Sequence, residues 1–117
     1  MIVAVVGSAM IAAGCGTTNV IPSGHQLTVA LTEYRLRPQR VEVTAGSLTI
    51  VAHNYGRLTH NVVILQDGRA LDSMQPIPPG GSEELTVVLL PGQYVLASTV
   101  QSDQALGLYG TLIVRSG

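Results

Sequence analysis

The chain has 117 residues, of which 46% are hydrophobic and only 11% are charged, and its formal net charge is −1. This length suits one domain with a single core, which aliphatic side chains must fill because phenylalanine and tryptophan are absent. A charge near zero without a basic run argues against binding to nucleic acid and against electrostatic attraction to an anionic membrane.

The first residues predict an export signal that is separate from the domain. The segment from Met1 to Ala13 is uncharged and apolar, but it is shorter than the roughly 20 residues that span a bilayer. Small residues precede the lone cysteine, Cys15, in an arrangement that resembles a bacterial lipobox. The resemblance implies lipid attachment to Cys15 and a protein held on the extracytoplasmic side of a membrane, in the periplasm or at the cell surface. Residues 1–15 are therefore assigned to a lipoprotein-type signal peptide; an ordinary signal or a short apolar anchor with an incidental cysteine is the alternative.

Residues 16–25 are rich in glycine, threonine and serine and lack periodicity, which predicts a flexible tether. The domain is assigned to residues 26–117. Its first part shows three segments in which apolar residues alternate with polar or small ones, the pattern of half-buried strands. The alternating apolar positions are Leu27, Val29 and Leu31, then Val41 and Val43, and then Leu48, Ile50 and Ala52.

The second part of the domain continues with short predicted strands. They cover residues 61–65, 85–90, 94–99 and 111–115. The intervening stretch 70–82 is irregular, and its prolines exclude a long helix, although residues 70–75 are compatible with one helical turn. About seven short strands separated by glycine and proline turns predict an all-β fold, an antiparallel β-sandwich with Greek-key connections.

Four segments, in order, resemble small bacterial cupredoxins, the family of blue copper proteins. They are Glu33-Tyr34-Arg35-Leu36-Arg37-Pro38 with the alternating strand that follows, Asn54 with Thr59-His60-Asn61-Val62-Val63, Leu90-Pro91-Gly92-Gln93-Tyr94, and Gly107 to Val114. The resemblance covers residues 26–114 and implies a cupredoxin-like Greek-key sandwich.

The resemblance places the four copper ligands of the family at His60, Ser98, Asp103 and Leu108. Only His60 keeps the residue type that the family uses, because hydroxyl, carboxylate and hydrocarbon replace the thiolate, the second imidazole and the axial thioether. Type 1 copper depends on two imidazoles and a thiolate. We therefore expect no metal, no other cofactor and no catalytic residue, and we predict a metal-free lipoprotein with a binding, accessory or assembly role. The alternative is a copper-binding electron-transfer protein with an unusual ligand set.

Three uses of the remaining polar residues stay open. A buried His60 needs a partner for each ring nitrogen, and Ser98 or Asp103 would supply one. His60 and Asp103, together with His53 or His25, would instead hold zinc or copper(II). The residue types of Ser98, His60 and Asp103 also match those of a hydrolytic triad.

The resemblance also implies a partner surface. Cupredoxins dock redox partners through an apolar patch beside the metal site, and Leu106, Leu108 and Tyr109 lie in the corresponding loop. If Leu106 and Tyr109 are exposed together, we expect a protein to dock there. In the alternative interpretation, Leu108 fills the vacated axial position and Tyr109 covers the end of the sandwich. Contact with a membrane is expected only through the lipid at Cys15.

Overall fold

The computed structural model of the protein describes residues 19–21 and 26–117, so the predicted signal peptide and Cys15 lie outside the described residues. Ten strands and one short helix are present in this part of the chain. In chain order they are β1 (Asn19–Ile21), β2 (Gln26–Thr32), β3 (Arg35–Arg37), β4 (Arg40–Thr44), β5 (Gly46–Asn54), β6 (Val63–Gln66), β7 (Arg69–Ser73), β8 (Ser82–Leu89), β9 (Gly92–Ala97), α1 (Asp103–Leu106) and β10 (Tyr109–Arg115).

The strands form two sheets that enclose an aliphatic core. One sheet has four strands in the order β3-β2-β5-β8, and the other has six in the order β1-β4-β10-β9-β6-β7. The predicted alternation is confirmed, because β2, β4 and β5 each bury their apolar positions in one cluster. The all-β sandwich predicted from the strand spacing is therefore the fold of the domain.

Both sheets are mixed, whereas the sequence suggested antiparallel pairing throughout. Strand β2 pairs in parallel with β5, and β4 pairs in parallel with β10 and with β1. The remaining pairs are antiparallel. Alternation of apolar residues reports which face of a strand is buried, but it carries no information on the direction of the neighbouring strand.

Two local features differ from the predictions. Within the segment predicted as a tether, Asn19–Ile21 forms β1 and adds to the edge of the six-stranded sheet beside β4. The helical turn considered for residues 70–75 is wrong, because Arg69–Ser73 is strand β7, which pairs with β6. All residues of β7 are exposed, so this strand lacks the alternation that would have revealed it.

No helix in the described part of the chain has the length and hydropathy needed to cross a membrane.

Candidate functional site

Three connections meet at one end of the sandwich because of the strand register. Leu31 near the end of β2 lies opposite Asn54 at the end of β5. At the same end, Ala97 of β9 lies opposite both Val63 of β6 and Tyr109 of β10. The turn after β2, the loop from β5 to β6 and the loop from β9 to β10 are therefore neighbours, and each contributes polar side chains to a buried cluster.

The loop from β5 to β6 holds His60 in a fixed position. The backbone of His60 pairs in both directions with Ile77, at N···O distances of 3.1 and 2.7 Å. The amide nitrogen of buried Asn54 donates to the carbonyls of Leu58 and Ile77 at 2.8 Å each, and its oxygen accepts the N–H of Gly56 at 2.8 Å. These hydrogen bonds give partners to the backbone polar groups of the loop and fix its path. The imidazole of His60, which the loop carries, has no exposed surface.

Both ring nitrogens of His60 contact carboxylates. Nδ1 lies 2.7 Å from Oδ2 of Asp103, and Nε2 lies 2.6 Å from Oε2 of Glu33. Two such hydrogen bonds need two protons, one for each nitrogen–oxygen pair. Each nitrogen–oxygen pair therefore holds one proton, and the ring of His60 lies between two acidic side chains.

The loop from β9 to β10 brings Asp103 to this histidine. The Ser98 hydroxyl donates to the same Asp103 oxygen at 2.7 Å and accepts the backbone N–H of Asn61 at 3.2 Å. The loop is closed by backbone bonds from Ser98 N–H to the Leu108 carbonyl, at 3.1 Å, and from Leu108 N–H to the Asp103 carbonyl, at 2.9 Å. Oδ2 of Asp103 thus accepts hydrogen bonds from side chains of two loops, His60 in the loop from β5 to β6 and Ser98 in the loop from β9 to β10.

Glu33, in the turn after β2, is the member of the cluster that sequence analysis did not identify. Its carboxylate accepts the backbone N–H of Arg57, at 2.8 and 3.0 Å to its two oxygens, and that of Leu58 at 3.2 Å, in addition to Nε2 of His60. These donors, Arg57 first and His60 second, hold the pKa of Glu33 below its ordinary value of 4.5. The one available signal was the need of a buried His60 for two partners, but no spacing rule links it to a residue 27 positions away.

The other predicted residues take different places. Leu108 is fully buried in the core beside the cluster. His53 lies apart from it, on the outer face of β5, where Nδ1 is 2.5 Å from the hydroxyl of Ser82. His25 lies outside the described residues, as does Cys15.

The residues at this end of the sandwich do not fit a copper or zinc ion. Both ring nitrogens of His60 are already hydrogen-bonded to carboxyl groups, Nδ1 to Asp103 and Nε2 to Glu33. Two ligand atoms on one tetrahedral metal ion would stand roughly 3.3 Å apart, whereas Nδ1 of His60 and Oδ2 of Asp103 are separated by 2.7 Å, a hydrogen-bond distance. Among the described residues, no three histidine, cysteine, aspartate or glutamate side chains are grouped so that they could hold a metal ion. The thiolate and thioether of a type 1 site have no counterpart at Ser98 and Leu108.

The arrangement also lacks the features of a hydrolytic triad. A nucleophilic serine must donate to the histidine that acts as its base. Here the Ser98 hydroxyl donates to Asp103 instead, and Ser98 is completely buried. A substrate would have no access to this oxygen.

The residues of the predicted docking patch are exposed but separated. Leu106 and Tyr109 are 56% and 42% exposed. Tyr109 lines a cleft with Val95 and Ala105, whereas Leu106 lines a second cleft with Tyr34 and Leu58. Leu108 is buried in the core, and the two exposed side chains line different clefts.

Comparisons with known proteins identify the fold. No protein-family model and no curated protein sequence matches the chain. Among solved structures, an auracyanin from the photosynthetic bacterium Roseiflexus castenholzii superposes with a TM-score of 0.71 at 22% identity, over 76% of this chain and 95% of that protein. Auracyanin A from Chloroflexus aurantiacus, described as a "blue" copper protein, gives a TM-score of 0.64 at 15% identity, over 77% and 99% of the two chains. Auracyanin B gives 0.69 at 17% identity, over 78% and 88%. The predicted cupredoxin-like fold is therefore confirmed.

Proposed function

We propose that this chain is a cupredoxin-fold protein that works without copper, in a binding, accessory or assembly role and not in electron transfer. The observation that carries the proposal is the engagement of both ring nitrogens of His60 by carboxylates, Asp103 at 2.7 Å and Glu33 at 2.6 Å. A metal ion needs an unprotonated ring nitrogen. Here each nitrogen of a fully buried ring belongs to a hydrogen bond with a carboxylate.

The hydrogen-bond network performs the structural task of a metal centre. A metal ion in such a fold joins loops by binding ligands from each of them. Oδ2 of Asp103 does the same by accepting from His60 and from Ser98, and Glu33 adds the turn after β2. The network joins three connections through closed-shell groups, none of which changes oxidation state under physiological conditions.

We further propose that the protein is a lipoprotein on the extracytoplasmic side of a membrane. The support is the apolar segment before Cys15 with its lipobox-like ending. A surface location on a lipid tether suits a protein that binds a ligand or a partner.

A second candidate function is copper-dependent electron transfer with an unusual ligand set. The observation that favours it is the similarity in fold to auracyanin A, which is described as a "blue" copper protein. The ligand positions oppose it, because the fold alone supplies no thiolate to replace the one missing at Ser98.

Titration with copper(II) tests the proposal. The full chain is mixed with increasing copper(II) and followed by visible absorption and electron paramagnetic resonance. We expect no intense thiolate-to-copper band and no stoichiometric copper signal that depends on His60. The variants His60→Gln and His53→Gln are compared as a matched pair. If the native chain binds copper and only His53→Gln abolishes the binding, the copper sits at the surface and the proposal stands. If only His60→Gln abolishes the binding, the proposal is overturned.

A further inference from the structure

A cleft opens directly beside the polar network. Its volume is about 370 Å³, which lies at the lower end of the range for small-molecule sites. Tyr34, Leu58 and Leu106 form apolar walls, and the two leucines are more than half exposed. Three separate connections of the sandwich contribute these side chains, so the cleft lies where the connections joined by the network meet.

Asp103 contributes a carboxylate oxygen to this cleft. The residue is only 5% exposed, and its Oδ2 accepts from both His60 and Ser98. No hydrogen bond within the described residues reaches its Oδ1. Every fully buried side-chain nitrogen or oxygen in that part of the chain has a partner, so Oδ1 must be the atom at the surface of the cleft that Asp103 lines. It is a carboxyl oxygen without a hydrogen-bond partner, on an otherwise buried side chain.

The charge of the cleft selects for cations. No lysine, arginine or histidine side chain is among the residues that line it. His60 is fully buried, and both of its ring nitrogens are already bonded to carboxylates, so it presents no group to the cleft. The hydroxyls of Thr59 and Ser102 add neutral polar groups at the edge. A ligand with a cationic end and an apolar body would complement this lining. An anion would leave Oδ1 unpaired, and a neutral alcohol would donate only a weaker hydrogen bond without a charge on the donor.

We propose that this cleft binds an alkylammonium group. The ammonium donates a hydrogen bond to Oδ1 of Asp103, and the alkyl part packs between Leu58, Leu106 and Tyr34. A divalent metal ion is disfavoured, because Mg²⁺ or Ca²⁺ requires several oxygen ligands and only one free carboxylate oxygen is offered. The inference rests on the proposed function, because a copper ion bound at His60 would withdraw Asp103 from this role.

Nuclear magnetic resonance titration of the ¹⁵N-labelled full chain tests the inference. The probe is n-butylammonium chloride. n-Butanol and sodium butyrate are the controls for the alkyl chain alone and for the opposite charge, and MgCl₂ is the control for a simple cation. We expect saturable shifts of the amides of Leu58 and of residues 101–106 with butylammonium only. Equal responses to butanol, to butyrate or to Mg²⁺ would overturn the proposal, as would shifts that do not saturate.

The ammonium group could come from a free amine or from a lysine side chain. A second titration with a capped lysine-containing tripeptide separates these sources, with the norleucine analogue of that peptide as the control. Saturation by the lysine peptide at lower concentration than butylammonium assigns the site to protein partners, and the reverse order assigns it to small amines. Absence of a response to both overturns the proposal.

Two variants place the binding at Asp103. Asp103→Asn removes the charge while keeping the shape, and it should weaken butylammonium binding about tenfold, the difference between a charge-assisted and a neutral hydrogen bond. Because this variant also alters the network, Leu106→Lys is tested as well. It brings a tethered ammonium to the rim and should abolish the response. Leu90→Lys adds the same charge at an exposed leucine that does not line the cleft and should leave binding unchanged. Equal effects of the two lysine substitutions would overturn the inference.

The copper titration keeps the two proposals distinguishable. If the chain binds copper through His60, the proposed function fails. If it binds neither copper nor butylammonium, the copper-free function stands and only the alkylammonium site is lost.

Discussion

Oδ2 of Asp103 lies 2.7 Å from Nδ1 of His60, so an aspartate directly contacts the only residue that keeps a copper-ligand type. The same oxygen is 2.7 Å from the hydroxyl of Ser98. Ser98 and Asp103 thus contact each other, and Asp103 contacts the histidine, so that the three buried side chains form one network. Hydrogen bonds to the Asp103 carboxyl group therefore join the loop from β5 to β6 with the loop from β9 to β10.

The first prediction concerns the stability that Asp103 provides. Asp103→Ala leaves the buried Nδ1 group of His60 without its partner and removes one of the two acceptors near the Ser98 hydroxyl, the other being Oδ1 of Asn61 at 3.2 Å. We therefore expect a loss of about 3–5 kcal/mol in the free energy of unfolding. Gln104→Ala, at the next and exposed position of α1, should change it by less than about 0.5 kcal/mol. Urea unfolding followed by circular dichroism measures both. Equal stabilities of the two variants would show that the network contributes little.

The second prediction concerns how the stability that Glu33 provides changes as the pH falls. The folded pKa of Glu33 is held below 4.5, chiefly by the N–H of Arg57 and by His60. A carboxyl group with a lowered folded pKa contributes stability that is present above its ordinary pKa and is lost as the pH falls toward the folded value. We therefore expect Glu33→Gln to be less stable than the native chain at pH 7, and the difference to shrink below pH 4.5.

Thermal unfolding between pH 7 and pH 3 measures this dependence. Glu84→Gln removes the same charge from an exposed position on β8 and is the matched control. If the difference in unfolding temperature between Glu33→Gln and the native chain stayed constant with pH, the assignment of Glu33 as an ionised acceptor would be contradicted.

The third prediction concerns Leu108. It is fully buried, so Leu108→Ala creates a cavity and should cost about 2–5 kcal/mol in the free energy of unfolding. Leu106→Ala removes the same atoms two positions earlier, from a side chain that is 56% exposed, and should cost less than about 1 kcal/mol. Chemical denaturation provides the measurement. Similar losses for the two variants would mean that Leu108 does not fill the interior as the structure indicates.

The fourth prediction concerns the conversion of the site. The triple variant Ser98→Cys, Asp103→His and Leu108→Met supplies a thiolate, a second imidazole and a thioether around His60. Because the fold already brings these positions together, we expect copper(II) to produce an intense visible absorption band that the native chain does not show. The double variant without Ser98→Cys is the control, since it lacks the thiolate that gives the band. A colourless triple variant that is folded would show that this end of the sandwich cannot adopt the copper geometry.

The fifth prediction concerns anchoring. If Cys15 is lipidated, the protein expressed in a bacterium should fractionate with membranes and incorporate labelled fatty acid. Cys15→Ser should abolish both, because the thioether to the lipid cannot form. Ser23→Ala, in the segment that follows, is the control and should behave like the native chain. Incorporation of label into Cys15→Ser would place the lipid elsewhere or exclude a lipobox.

Much of the fold was predictable because burial leaves a local trace. The alternation of Leu27, Val29 and Leu31 marks one buried face of β2 within a single strand. Strand β7 left no such trace, since all its side chains are exposed and only its backbone bonds to β6 place it in the sheet. The parallel pairing of β2 with β5 was equally hidden, because direction is decided between strands.

The sequence by itself determined the sandwich, its buried positions and the set of residues His60, Ser98 and Asp103, since these follow from local alternation and from ordered segments that resemble a known family. Only the tertiary structure decided which atoms meet. It assigned both nitrogens of His60 to carboxylates, brought Glu33 to the ring from 27 positions away, and directed the hydroxyl of Ser98 to Asp103 instead of the histidine. The physical reason is that a hydrogen bond depends on distances of a few tenths of an ångström between loops, and the packing of two sheets sets those distances.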